Sequence, residues 1–104
     1  MLVKDRVTGE TVRAFAFDGQ DEGGTLRQEL SNSPSVPDGA EVVVGSWRLY
    51  LPQRNTLPDS TEEVETEIVS RYDTLVWSNE DGRWEIYPPK LFEKYFEEVL
   101  DGDA

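Results

Sequence analysis

The segment from Asp73 to Leu100 constrains the fold of this chain more than any other. Two stretches with alternating apolar residues, DTLVWS and RWEIY, flank the sequence Asn-Glu-Asp-Gly. Glycine suits the left-handed position that closes a short turn, so this pattern is typical of a β-hairpin. Pro88-Pro89 follows at once, and proline both prevents further strand pairing and favours the first turn of a helix. The segment therefore predicts a hairpin that leads directly into a helix.

The predicted C-terminal helix is amphipathic. Its apolar residues recur at helical spacing with charged residues between them: Leu91, Phe92, Tyr95, Phe96, Val99 and Leu100. Such a stripe must be covered, and the hairpin offers an apolar face made of four residues: Leu75, Trp77, Trp84 and Ile86. We expect the helix to pack on that face and to end at Gly102 as its C-cap glycine.

Two further elements are predicted near the N-terminus. The sequence TVRAFAF, residues 11–17, is apolar on both faces of an alternating strand, which indicates a strand inside the sheet. Thr25 followed by Gln28 has the spacing of a capping box, so a short helix is expected with Leu26 and Leu30 on one side.

The middle of the chain allows two interpretations. Residues 41–51 have the form of a hairpin in which Gly45-Ser46 is a two-residue type II′ turn, and one long strand kinked at Gly45 is the alternative. The hairpin places Trp47 on one face with Leu49 and Leu51, and Pro52 is expected to end the strand. Residues 53–67 are predicted to be an acidic loop insertion, although the pattern of residues 64–69 favours a strand over a helix.

These elements predict one small α+β domain over residues 1–104. It is expected to be mostly antiparallel sheet, with one short helix and a C-terminal amphipathic helix packed on the sheet. A chain of 104 residues with 37% hydrophobic residues can fill one modest core. The first ten residues mix apolar and charged side chains, so no signal peptide is expected, and no apolar run approaches the length of a membrane span.

The residue inventory disfavours catalysis. The chain has no histidine and no cysteine, which excludes Ser-His-Asp triads, Cys-His dyads, and zinc sites built from imidazole or thiolate. The spacing of Asp18, Gly23 and Glu29 resembles a calcium loop, but a neutral Gln20 and a preceding strand favour an ordinary turn. We therefore expect no enzymatic activity, no cofactor and no metal.

The charge distribution favours a protein partner. The net charge is −12; residues 1–52 carry eight acids and five bases, a net −3, whereas residues 53–104 carry fourteen acids and five bases, a net −9. Phosphate groups are repelled by such a surface, so no direct nucleic-acid binding is expected. We expect a cytoplasmic protein without membrane contact, whose partner is a protein, with a basic one favoured by charge. The candidate partner-binding residues are the acids of two clusters: Asp59, Glu62, Glu63, Glu65 and Glu67 in the first, and Glu93, Glu97 and Asp101 in the second.

Two blocks of the chain resemble a family of small proteins of unknown function encoded by bacteriophages and prophages. That family has an early strand of the type E-A-F-Q-F/W-D-G, a late G-D-Y/W-I/L-V turn and strand, a Tyr-Pro pair and a helix of the type F-E-x-x-Y-E-x-V. The matching residues of this chain are Ala14, Phe15, Phe17, Asp18 and Gly19 early, and Asp73, Leu75, Val76, Gly82, Tyr87, Pro88, Phe92, Glu93, Glu97 and Val99 late. Tyr72 replaces the glycine before Asp73, Ala16 replaces glutamine, and Phe96 stands at the position of a tyrosine.

The resemblance implies a phage or prophage origin and a compact α+β fold, and it implies no reaction. We expect an accessory protein that acts by binding another protein. Two alternatives remain: a structural, oligomeric phage component, or an acidic DNA mimic that inhibits a nucleic-acid-binding protein of the host. The sequence does not distinguish oligomeric states.

Overall fold

The computed structural model describes residues 1–56, 58–59 and 61–99. These residues form eight strands and two α-helices, which is the α+β class that the sequence predicts. The strands are β1 (Leu2–Asp5), β2 (Thr11–Ala16), β3 (Val43–Gly45), β4 (Arg48–Thr56), β5 (Glu62–Ser70), β6 (Thr74–Ser78), β7 (Arg83–Tyr87) and β8 (Phe96–Val99). The helices are α1 (Thr25–Ser31) and α2 (Pro89–Tyr95). Within these ranges neither helix is long or apolar enough to cross a membrane.

The strands form two antiparallel sheets. The larger sheet has the order β7-β6-β2-β1-β8, and the smaller has the order β3-β4-β5. Strand β2 lies inside the larger sheet, as its two apolar faces predict. The predicted hairpin of β6 and β7 is also confirmed, with Gly82 in the left-handed region at φ 65°.

The core lies on both faces of the larger sheet. One cluster fills the space between this sheet, α1 and the smaller sheet; its buried members are Phe17, Leu30, Val36, Val42, Leu49, Leu51, Val69, Leu75 and Trp84. The other cluster lies on the opposite face; its buried members are Val3, Ala14, Val76 and Phe96, with Phe92 and Tyr87 packed against them.

The predicted C-terminal helix is shorter than expected and covers the other face. It begins at Pro89, as predicted, but it ends at Tyr95, and residues 96–99 form β8, which pairs with β1. Phe92 and Phe96 pack in the cluster of Val3, so they do not cover the face of Leu75 and Trp84. A short helix is only marginally stable by itself. Pairing of residues 96–99 with the edge of β1 is therefore favoured over continuing the helix. The predicted Leu100 contact and Gly102 cap lie outside the described residues.

Helix α1 is confirmed, but its predicted capping box is wrong. Thr25 is the first helical residue and makes no side-chain cap; instead the carboxylate of Asp21 accepts hydrogen bonds from the Leu26 and Arg27 backbone N–H groups at 3.0 and 2.9 Å. Partial burial alone would raise the pKa of Asp21, but these bonds and the Arg27 guanidinium hold it below its ordinary value.

The β3–β4 hairpin is confirmed with a shifted turn. Gly45 pairs with Arg48, so Ser46 and Trp47 are the turn residues, with φ of 55° and 64°. Positive φ at both positions is typical of a type I′ turn, which holds two strands at the twist that a sheet requires. Trp47 therefore lies in the turn and not on the strand face of Leu49.

Candidate functional site

The predicted acidic loop is a long two-stranded ribbon. Strands β4 and β5 pair from Arg48↔Ser70 to Thr56↔Glu62, so the prediction of a loop over residues 53–67 is wrong for most of that range, whereas the predicted strand at residues 64–69 is confirmed. Pro52 does not end β4. The residues of β4 and β5 are called the acidic ribbon below.

The segment beside β4 explains how the strand tolerates Pro52. The backbone N–H of Arg54 donates to the Ser35 carbonyl at 2.8 Å, away from β5, and in a strand the N–H of every second residue points to the same side. The missing N–H of Pro52 therefore also lies on the side away from β5, where the β4–β5 ladder does not need it.

The same alternation identifies which backbone groups of β5 point outward. Alternate residues of β4 from Leu49 onward bond to β5, and they pair with Val69, Glu67, Glu65 and Glu63. The N–H and C=O groups at the free edge of β5 then belong to Glu62, Val64, Thr66 and Ile68. The outward N–H of Ser70 agrees with this alternation, since it donates to the Asp73 carboxylate at 3.0 Å.

The acidic side chains of the ribbon differ in what they contact. Glu67 is half-buried; it accepts from Gln53 Nε2 at 3.0 Å and forms an ion pair with Arg83. Glu62, Glu63 and Glu65 are exposed, and among the described residues none of them forms an ion pair. Glu63, Glu65 and Glu67 share one face of β5 because side chains alternate along a strand.

Asp59 belongs to the turn between the two strands. Its carboxylate accepts from the Thr61 hydroxyl at 2.6 Å and from the Thr61 backbone N–H at 3.1 Å. These bonds, the hydroxyl bond first, lower the pKa of Asp59 below its ordinary value. Asp59 therefore binds Thr61 with its carboxylate charged at neutral pH.

The structure does not bring the two predicted acidic clusters together. Glu97 lies on β8, at one edge of the larger sheet, while the acidic ribbon contacts β7 at the other edge through Arg83. Four strand spacings separate those edges, or roughly 19 Å, which exceeds the Debye length of about 8 Å in physiological salt. Glu97 is also paired with Arg6 at 3.4 Å and Lys4 at 4.0 Å. Glu93 precedes it on α2, and Asp101 lies outside the described residues.

An exposed apolar row crosses the outer face of the smaller sheet. Val43 pairs with Tyr50, and Tyr50 pairs with Ile68, so these three side chains form one row across β3, β4 and β5. Val43 is 43% exposed and Ile68 is 50% exposed, and Val64 farther along β5 is 55% exposed. The acidic ribbon therefore combines carboxylates on one face of β5 with exposed apolar side chains on the other.

Sequence reasoning missed an aromatic corner made of Trp47, Arg71 and Tyr72. The Arg71 guanidinium lies 4.7 Å from the ring centres of both Trp47 and Tyr72, and its Nε donates to the Asp18 carbonyl at 3.1 Å. Tyr72, like Trp47, has a positive φ, of 74°. The available signal was Tyr72 itself, because it stands where the phage proteins that the sequence resembles have glycine.

An acidic cavity of about 180 Å³ lies beside β6 and β7. Its carboxylates are Asp5, Glu10, Glu80, Asp81 and Glu85. Burial, and then the neighbouring Asp81, raise the pKa of Glu85, which accepts a 2.8 Å hydrogen bond from the Tyr87 hydroxyl. In the part of the chain that the structure describes, no group of three or more acidic residues is arranged to hold a metal ion.

Comparison of the chain with protein-family models, curated proteins and solved structures gives no match.

Proposed function

We propose that this chain is a phage or prophage accessory protein that acts in the host cytoplasm by binding another protein, without catalysis. The observation that carries the proposal is the acidic ribbon, where Glu62, Glu63 and Glu65 are exposed on a strand whose other edge has no neighbour among the described strands. Carboxylates without ion-pair partners are available to a basic surface, and they attract it over a Debye length.

The contacts of the acidic ribbon favour a protein over other partner classes. Nucleic acid would be repelled by a chain of net charge −12. A protein partner can satisfy the carboxylates with Lys or Arg and can also cover Val64 and Ile68, whose exposed side chains lie on the outer face of the same strand. The resemblance to phage proteins supports the origin, because Tyr72 has a left-handed φ at the position where that family carries glycine.

The two alternatives receive less support. A DNA mimic gains from a long row of negative charge, but the acids of the ribbon and those of α2 and β8 lie at opposite edges of the larger sheet. A self-assembling structural component is disfavoured at the β5 edge because its glutamates repel a second copy.

The test of the proposal is a capture experiment with matched charge variants. The parent protein is compared with Glu62→Lys/Glu63→Lys/Glu65→Lys and with a control that reverses three exposed acids elsewhere, Glu22→Lys/Glu41→Lys/Glu98→Lys. A protein captured from host lysate by the parent is identified, purified and titrated against all three. We expect the ribbon variant to lose binding, the control to retain it, and affinity to fall as salt rises from about 50 to about 300 mM. Equal binding by the ribbon variant, or binding insensitive to salt, would contradict the proposal.

A further inference from the structure

We infer that the free edge of β5 binds an extended segment of its protein partner as an added antiparallel strand, in which basic residues alternate with apolar ones. This inference rests on the proposed function, since it specifies how the acidic ribbon would bind a protein. Four backbone positions supply the hydrogen-bonding groups of that edge: Glu62, Val64, Thr66 and Ile68. Strand addition to such an edge is a common way in which folded domains bind extended peptides.

The position of the glutamates determines where the partner carries its charge. In an antiparallel pair the residues opposite Val64, Thr66 and Ile68 would exchange hydrogen bonds with them, and the residues between would form non-hydrogen-bonded pairs. Those intervening residues lie opposite Glu63, Glu65 and Glu67, with Cα atoms about 4.5 Å apart, on the same face as the carboxylates. Lys or Arg at each of these positions therefore meets a glutamate directly.

The outer face of β5 determines which side chains the partner segment carries between its basic residues. Side chains of the added strand opposite Val64 and Ile68 would lie beside two exposed apolar side chains, and they would extend the row that runs from Val43 through Tyr50 to Ile68. Covering these side chains removes apolar surface from water, which favours valine, isoleucine or threonine there. The expected segment is thus an amphipathic strand with a period of two residues.

A second copy of this chain does not fit the same edge. If two β5 strands paired antiparallel with Val64 opposite Thr66, Glu65 would lie opposite Glu65 and Glu63 opposite Glu67. With Thr66 opposite Thr66 instead, Glu65 of each copy would lie opposite Glu67 of the other. Like charges directly opposite are destabilising in a sheet, so these glutamates protect the edge from self-association while leaving it open to a basic segment.

The first test uses synthetic peptides and the parent protein. The probe Val-Lys-Thr-Lys-Val-Lys-Thr is compared with a peptide of the same composition in block order, Lys-Lys-Lys-Val-Val-Thr-Thr. Two further probes carry N-methyl groups, one on the Val and Thr amides and the other on the Lys amides. We expect the alternating probe to bind and the block peptide to bind at least about tenfold more weakly. Of the two methylated probes, only the one methylated at Val and Thr should lose binding by a similar factor, because only the Val and Thr amides point at β5.

The second test uses amide exchange and a variant of the edge. On binding of the alternating probe, the backbone N–H groups of Val64, Thr66 and Ile68 should become protected from hydrogen exchange. Thr66→Pro removes one outward N–H and should weaken binding, whereas Thr66→Val keeps that N–H and should bind as the parent does.

The outcomes separate the two proposals. If both N-methylated probes bind equally, or if no amide of β5 becomes protected, strand addition is wrong. Protein binding through the acidic ribbon still stands in that case, provided that the captured partner remains sensitive to the Glu62, Glu63 and Glu65 reversals. If the partner ignores those reversals, the proposed function itself fails.

Discussion

The side-chain amide of Gln53 bonds to both backbone groups of Trp84. Gln53 Oε1 accepts from the Trp84 N–H at 2.8 Å, and Gln53 Nε2 donates to the Trp84 carbonyl at 3.0 Å. Trp84 lies on β7, an edge strand of the larger sheet, while Gln53 lies on β4 of the smaller sheet. One fully buried glutamine thus satisfies both outward backbone groups of Trp84 and joins the two sheets.

Replacing Gln53 by leucine should destabilise the protein. Gln53→Leu keeps the side-chain size but leaves the buried N–H and C=O groups of Trp84 without their partner, which we expect to cost about 2–4 kcal/mol of unfolding free energy. Urea unfolding measures this cost, and Gln28→Leu at an exposed position of α1 is the control. A Gln53→Leu variant as stable as the parent would show that the bond between the sheets contributes little.

Truncation of Phe96 should show that β8 packs on the face of Val3. Phe96 is buried and stacks on Phe92 with ring centres 5.7 Å apart, so Phe96→Ala should cost about 3–5 kcal/mol. Leu91→Ala, on the neighbouring helix α2 and 44% exposed, should cost far less. Thermal or urea unfolding that ranks these two variants equally would argue against the observed packing.

In the C-terminal segment, structure that depends on nearby residues was predicted correctly, and structure that depends on distant residues was not. The β6–β7 hairpin was predictable because alternation and the glycine at residue 82 act within a few residues of each other. The end of α2 was not, because it depends on a strand at the far end of the chain. The Arg6 N–H donates to the Tyr95 carbonyl at 2.9 Å, and Arg6 Nε donates to the Phe96 carbonyl at 3.1 Å. No pattern within residues 89–99 carries that information.

In the acidic ribbon, too, the candidate residues could be predicted from the sequence, but the strand through Pro52 and the free edge could not. Counting charges was enough to select Glu62, Glu63 and Glu65 as candidates, since exposure follows from their chemistry. Pro52 and the high charge argued for a loop, and only the neighbouring Ser35 carbonyl, which accepts from Arg54, shows why a strand is tolerated there. The free edge could not be predicted because it depends on which strands become neighbours.

Glu85 should make the stability depend on pH. Burial and Asp81 raise its pKa in the folded protein above the ordinary value of 4.5. A raised pKa means that the stabilisation from the protonated carboxyl is complete below the unfolded pKa and is lost as pH rises through the folded pKa. Glu85→Gln should therefore be more stable than the parent at pH 7, and the difference should shrink as the pH falls to about 4.

Urea unfolding at several pH values checks this prediction, with Glu98→Gln as the control for removing one exposed acid from a protein of net charge −12. Parallel stability curves for Glu85→Gln and Glu98→Gln would contradict it.

Replacing Tyr72 by glycine should leave the protein more stable than replacing it by alanine. Its φ of 74° lies in the left-handed region, and the turn is held on both sides, because the Tyr72 N–H donates to the Phe17 carbonyl at 2.7 Å and the Asp73 N–H donates to the Ser70 carbonyl at 3.1 Å. An L-residue in this region carries a steric cost of about 1–2 kcal/mol, which glycine avoids.

Tyr72→Gly and Tyr72→Ala both remove the ring that lies against Arg71, so the difference between their free energies of unfolding measures the cost of the left-handed backbone. We expect the glycine variant to be about 1 kcal/mol more stable than the alanine variant in urea unfolding. Equal stabilities would mean that the turn relaxes around residue 72, and the φ of Tyr72 would then no longer support the proposed resemblance to the phage proteins.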